Sequence, residues 1–161
     1  MRLVMAFVAV ALGGTAGILL LRKRFLMATV SGFSMAPTLH PGDRLLVRRV
    51  PPAAGRPGDI VVVRPDARMA GPRPRPGWVI KRLVAAPGDP VPAGVPSSTG
   101  SHVPPGRMAI LGDNPDASRD SRDYGLVAHD QFVGVVVRTL HRAPRSGALV
   151  VPEVPPTADR R

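Results

Sequence analysis

The sequence predicts a mostly β domain behind one N-terminal membrane helix, and three observations carry that reading. Residues Leu3 to Leu21 are 19 consecutive positions without a charge. At about 1.5 Å per helical residue that run spans roughly 28 Å, close to the hydrocarbon thickness of a bilayer. The rest of the chain sets short Val/Ile/Leu runs between turn residues, with 20 Pro and 17 Gly in the whole sequence, a pattern that favours short strands over helices. At 161 residues the length suits one modest core with appendages.

The apolar run is long for the core of a cleaved leader, and Arg22-Lys23-Arg24 stands where small residues would mark a cleavage site. Gly13, Gly14 and Gly17 weaken a soluble helix but are common in membrane helices. Phe25 to Ser31 then reads as an extended lead-in. The turn Pro41-Gly42-Asp43 leads into a strand over Arg44 to Arg49, and Asp59 to Arg64 is the most apolar strand. Pro65 to Pro76, with its prolines and arginines, is a loop. Gly77 to Val84 is a buried strand rich in β-branched residues, closed by the turn Ala86-Pro87-Gly88-Asp89. Pro90 to Pro105 reads as a mobile excursion, Met108 to Leu111 as a short strand, and Gln131 to Leu140 as the last strand. The organisation expected is an anchor with a basic flank over 1–24, a β domain over 25–143, and a Pro-rich disordered tail over 144–161.

The formal charge of +11 raises nucleic acid or anionic lipid as partners. The arginines are scattered and lack the interleaved aromatics of a base-stacking surface, so membrane lipid is the expected partner and nucleic acid is not. Zero cysteines exclude disulfides and thiolate chemistry. His40, His102, His129 and His141 have no zinc-like spacing and read as surface residues, so neither a metal nor a cofactor is expected.

Of the 22 basic residues only Lys23 and Lys81 are lysines. Lys23 sits in a basic run, but Lys81 is embedded in Trp78-Val79-Ile80-Lys81-Arg82-Leu83-Val84. Arginine keeps its proton in any protein site, whereas a desolvated lysine can lose it and act as a base. Val79, Ile80, Leu83 and Val84 supply an apolar wall. A base needs a partner, and Ser34 lies on a turn between flexible Gly32 and stiff Pro37, where its hydroxyl and backbone N–H can face a substrate. The combination implies a Ser/Lys hydrolase.

Four segments in order resemble the type I signal peptidases, the Ser/Lys membrane proteases. Ser34-Met35-Ala36-Pro37-Thr38-Leu39 with Gly42-Asp43 is similar to the nucleophile segment, and Gly58-Asp59-Ile60-Val61-Val62-Val63 to a structural one. Lys81-Arg82-Leu83-Val84-Ala85-Ala86-Pro87-Gly88-Asp89 resembles the general-base segment, and Gly112 to Arg122 the last. The resemblance, with the preceding helix, covers Leu3 to about Leu140. It implies a compact antiparallel coiled sheet, barrel-like, that removes signal peptides from translocated preproteins after small-x-small sites. It further implies Ser34 as nucleophile and backbone oxyanion donor, Lys81 as general base, Ser118 orienting the Lys81 amine, and Asp120 paired with Arg122 beneath. Val30, Met35, Leu39, Leu45, Val79 and Ile80 would line shallow substrate pockets.

Three positions depart from that pattern: Ala85 stands for a glycine, Ala117 for an asparagine, and Gly32 for a serine that assists the oxyanion hole in some members. Two alternatives stay open, a maturation peptidase of the same fold cutting one partner precursor (a superoxide dismutase precursor, for example) and a non-enzymatic basic membrane-tethered binding module. A self-cleaving repressor is excluded by the apolar N-terminus. The basic residues after the helix would hold the β domain in the cytoplasm by the positive-inside rule. The resemblance implies the opposite, a single-pass protein of the cell membrane with its catalytic domain on the extracytoplasmic side.

Overall fold

Seven strands pair antiparallel in one curled, half-barrel sheet: β1 Phe25–Thr29, β2 Arg44–Arg48, β3 Ile60–Val63, β4 Val79–Ala85, β5 Arg107–Leu111, β6 Val127–Ala128 and β7 Phe132–His141. Their order across the sheet is β1-β2-β7-β3-β4-β5-β6, so the last strand inserts between the second and third. The computed structural model describes residues 21–69, 77–98 and 100–144. The predicted membrane helix, Leu21 apart, and the tail from 145 onward lie outside the described residues. Among the described residues no helix is long and apolar enough to cross a membrane.

Register breaks in the β2–β7, β3–β7 and β4–β5 ladders bend the sheet. β3 is buried on both faces, which is why it reads as an unbroken apolar run. By strand alternation Val62 enters one core with Val30, Met35, Leu45 and Ile80, while Val61 and Val63 enter another with Met69, Leu83 and Phe132. The two apolar layers meet at the start of β4, where Ile80 belongs to the first and Val79 packs against the second.

Pro90 to Pro105 departs from the mobile excursion expected. The amides of Gly88 and Val91 donate to the carbonyls of Val103 and Ser101, and Val103 N–H donates to the Asp89 carbonyl. Val95 and Val103 are buried with Ala85, Ala109 and Leu126 in a third cluster. The prolines mask two valine anchors that the composition alone does not reveal. Val84 also departs from expectation: it packs against this third cluster, while Lys81 and Leu83 occupy the alternate positions of the strand.

Candidate active site

The turn after β1 is built by two backbone bonds, Ala36 N–H to the Phe33 carbonyl at 3.0 Å and Leu39 N–H to the Met35 carbonyl at 2.8 Å. Buried Met35 and Leu39 anchor it, leaving Phe33 exposed and Ser34 half-buried. The peptide between Ala36 and Pro37 is cis. The Ser34 carbonyl accepts from Asn114 N–H at 3.0 Å, tying this turn to the loop after β5.

Lys81 is only 5% exposed. It lies opposite fully buried Val61 on β3. Its Nζ donates to Ser118 Oγ at 3.0 Å, and that hydroxyl donates to Asp120 Oδ2 at 2.6 Å. Asp120 is fully buried, and its carboxylate also accepts from Gly112 N–H at 2.9 Å and from Arg122 Nε and Nη2 at 2.9 and 2.7 Å. It caps the short helix Ser121–Tyr124 in a capping box with Asp123. Ser121 Oγ accepts from Ile110 N–H at 2.9 Å and pins that helix to β5. Nothing can be added at Gly112, because a Cβ there would collide with Ser118 Oγ and with the Ser34 carbonyl oxygen.

Burial pushes the Lys81 amine down to about 8, against the opposing pull of the Asp120 charge. Burial pushes Asp120 the other way, yet the hydrogen bonds from Arg122, Gly112 and Ser118 outweigh it and bring the carboxyl down to about 2. Asp120 is therefore anionic at neutral pH, while about a tenth of Lys81 is neutral at pH 7.

Ser34 and Lys81 line one open cleft of about 390 Å³, with no direct hydrogen bond between them. Among the described residues, the Ser34 hydroxyl and backbone N–H have no hydrogen-bond partner, so both are available to a ligand. Val30, Met35, Val79 and Ile80 also line this cleft. Leu39 and Leu45 do not: both are buried in the first core cluster, Leu45 opposite Ala28 of β1. A larger cavity of about 550 Å³, beside Arg107 and Leu126, contains none of the predicted site residues.

Sequence reasoning missed several groups. Met69, Trp78 and Arg119 line the cleft. Asp113 accepts from Arg82 Nε and Nη2 at 2.8 and 2.6 Å and from Thr38 Oγ1 at 2.6 Å, joining the Ser34, Lys81 and Ser118 segments. The available signal was a second basic residue beside Lys81 and a carboxylate beside Gly112.

The model of the family described as "Signal peptidase, peptidase S26" matches residues 1–94 and 93–140. The chain is 38% identical over 119 residues to the mitochondrial ATP-independent inner membrane protease subunit 1b of Arabidopsis thaliana, covering 69% of this chain and 67% of that protein. It is 32% identical over 139 residues to signal peptidase I T of Bacillus subtilis, covering 65% and 68%. Signal peptidase IB of Staphylococcus aureus is 27% identical over 150 residues, covering 67% and 73%. With three of the four motif segments lining one cleft and this match over most of its length, the chain belongs to the peptidase S26 signal peptidase family.

Proposed function

We propose that the protein is a membrane-bound serine endopeptidase that removes signal peptides from translocated preproteins with a Ser34/Lys81 dyad. The observation that carries this reading is the buried Lys81 amine, depressed to about 8 and facing the same cleft as Ser34. Neutral Lys81 takes the Ser34 proton as Oγ attacks the scissile carbonyl, and Ser34 N–H donates to the developing oxyanion. The Lys81 ammonium then returns a proton to the leaving amine, and water activated by Lys81 hydrolyses the acyl-enzyme. The missing Ser34–Lys81 bond is compatible with this, since such contacts are often loose until substrate binds.

Substrate would add as a strand. Val79, Ile80 and Lys81 pair only with β3, because β5 joins β4 from Arg82 onward. That open edge flanks the cleft, and backbone bonds along it would place alternate substrate side chains against Val30, Met35, Val79 and Ile80. Shallow apolar pockets admit Ala, Gly or Ser, exclude bulk, and would strip water from a charge without offering a partner. Residues 1–24 would anchor the enzyme in the cell membrane and 25–143 form the catalytic domain on the extracytoplasmic side.

A second reading has one observation behind it: one relative is named as an inner membrane protease subunit, which fits a dedicated maturation enzyme. A panel of preprotein peptides varied one and three residues before the cut tests both. General small-x-small cleavage, lost in Ser34→Ala, supports the first; cleavage of a single precursor supports the second. Equal turnover of Ala, Leu and Lys just before the cut contradicts the pocket assignment. Protease protection of a C-terminal tag in spheroplasts tests the orientation, a protected tag placing the domain in the cytoplasm.

A further inference from the structure

Two arginines that follow Ser118 closely in sequence have different fates. Arg122 is committed, with both ends of its guanidinium on Asp120. Arg119 is exposed and lines the cleft that holds Ser34 and Lys81. One of its Nη atoms donates to the Arg68 carbonyl at 3.0 Å, which fixes the guanidinium at the rim. Among the described residues, ion pairs join Arg68 to Asp66, Arg82 to Asp113 and Arg122 to Asp120, leaving Arg119 with no carboxylate. No acidic side chain is among the described residues lining the cleft. A held guanidinium still has most of its five N–H donors to offer, and its planar fork matches a carboxylate.

We infer that Arg119 is a specificity-determining residue, which favours an acidic side chain near the scissile bond and disfavours a basic one. This rests on the reading that the cleft takes a polypeptide, and adds a charge preference outside the small apolar pockets. An exposed pair of this kind is worth about two- to five-fold in affinity. Among the described residues the Arg119 guanidinium makes no hydrogen bond to Lys81 or to the Ser118 hydroxyl, so it is read as acting on the substrate and not through the base.

Trp78, the sole tryptophan of the chain, lines the same cleft at 40% exposure and can report its occupancy. The full chain carrying Ser34→Ala, in detergent micelles, is titrated with peptides free of aromatic residues. These differ only by Asp, Asn or Lys at successive positions around a small-x-small site, and Trp78 fluorescence reads binding. At one or more positions the Asp peptide should bind about two- to five-fold tighter than the Asn peptide, and the Lys peptide weaker. Arg119→Gln should erase this order, Arg119→Lys should keep it, and Arg119→Glu should reverse it. Equal binding of the three peptides at every position, or an order unchanged in Arg119→Glu, overturns the inference alone, provided the unmutated chain cuts the Asn peptide. Neither binding nor cutting of the Asn peptide overturns the proteolytic reading and this inference with it.

Discussion

The Lys81 amine donates to Ser118 Oγ at 3.0 Å, and that hydroxyl in turn donates to Asp120 Oδ2 at 2.6 Å. The direction of the chain matters. Because Asp120 is anionic it claims the Ser118 hydrogen, so Ser118 can only accept from Lys81. A neutral amine with one N–H directed at Ser118 is held in orientation, which leaves its lone pair to be aimed across the cleft. In the proposed mechanism Ser118 is a positioning residue, acting through Lys81.

Ser118→Ala should lower kcat by about 10- to 100-fold, within the range for positioned acid–base groups, with KM little changed. Ser118→Thr, which keeps the hydroxyl, should recover part of the loss. Steady-state kinetics on a small-x-small peptide check this; an unchanged kcat in Ser118→Ala removes the residue from the site.

The buried lysine should make the fold less stable than it would be without it. Lys81 has a folded value of about 8 and an unfolded value near 10.4. Below pH 8 both states hold the proton, and the folded state carries the full cost of a buried charge. Between 8 and 10.4 only the unfolded state holds it, so stability rises with pH across that window, by roughly 3 kcal/mol at most. Lys81→Met should therefore raise stability at pH 7 by about 1–3 kcal/mol and flatten its rise above pH 8. Urea midpoints at pH 7 and pH 9.5 measure both effects; a less stable Lys81→Met at pH 7 would count against the desolvated amine.

Much of the fold was legible because most strands are apolar runs between turn residues: Asp59 to Arg64 became β3, and Gln131 to Leu140 became β7. Lys81 stood out as a lysine among arginines within an apolar run, and Ser34 through the motif around it. The short helix Ser121–Tyr124 was hidden in a polar stretch, since its start depends on a capping box and not on periodicity. β6 has two residues, too few to carry a pattern. Leu39 and Leu45 show a different limit. A core and an apolar pocket ask for the same residue types, so composition near the nucleophile cannot separate them. The Arg82–Asp113 pair spans 31 positions, and only the return of β5 beside β4 brings it together.

Gly112 should also be sensitive to substitution. Its missing Cβ leaves room for both Ser118 Oγ and the Ser34 carbonyl, and its N–H feeds Asp120. Gly112→Ala should push the two segments apart and cost about 100-fold in kcat/KM, the scale of a 1 Å misplacement. Circular dichroism alongside kinetics separates this from unfolding; a folded Gly112→Ala with full activity contradicts the geometry.

Gly32 offers the opposite case. A Cβ built there meets nothing within 4 Å, so a serine fits. Gly32→Ser should add a second donor near the Ser34 N–H and raise kcat, by less than the ~100-fold one preorganised donor is worth. A fall in kcat would place the oxyanion away from this turn.

The dyad is tested most directly by kcat/KM as a function of pH for the unmutated enzyme and for Lys81→Arg. Arginine keeps the positive charge and cannot serve as a base at any accessible pH. With Lys81 as the base, the unmutated enzyme should gain about tenfold per pH unit below an ionisation near 8 and level off above it. Lys81→Arg should be inactive throughout. Substantial turnover by Lys81→Arg, or a pH profile flat through 8, would contradict a neutral Lys81 acting on Ser34.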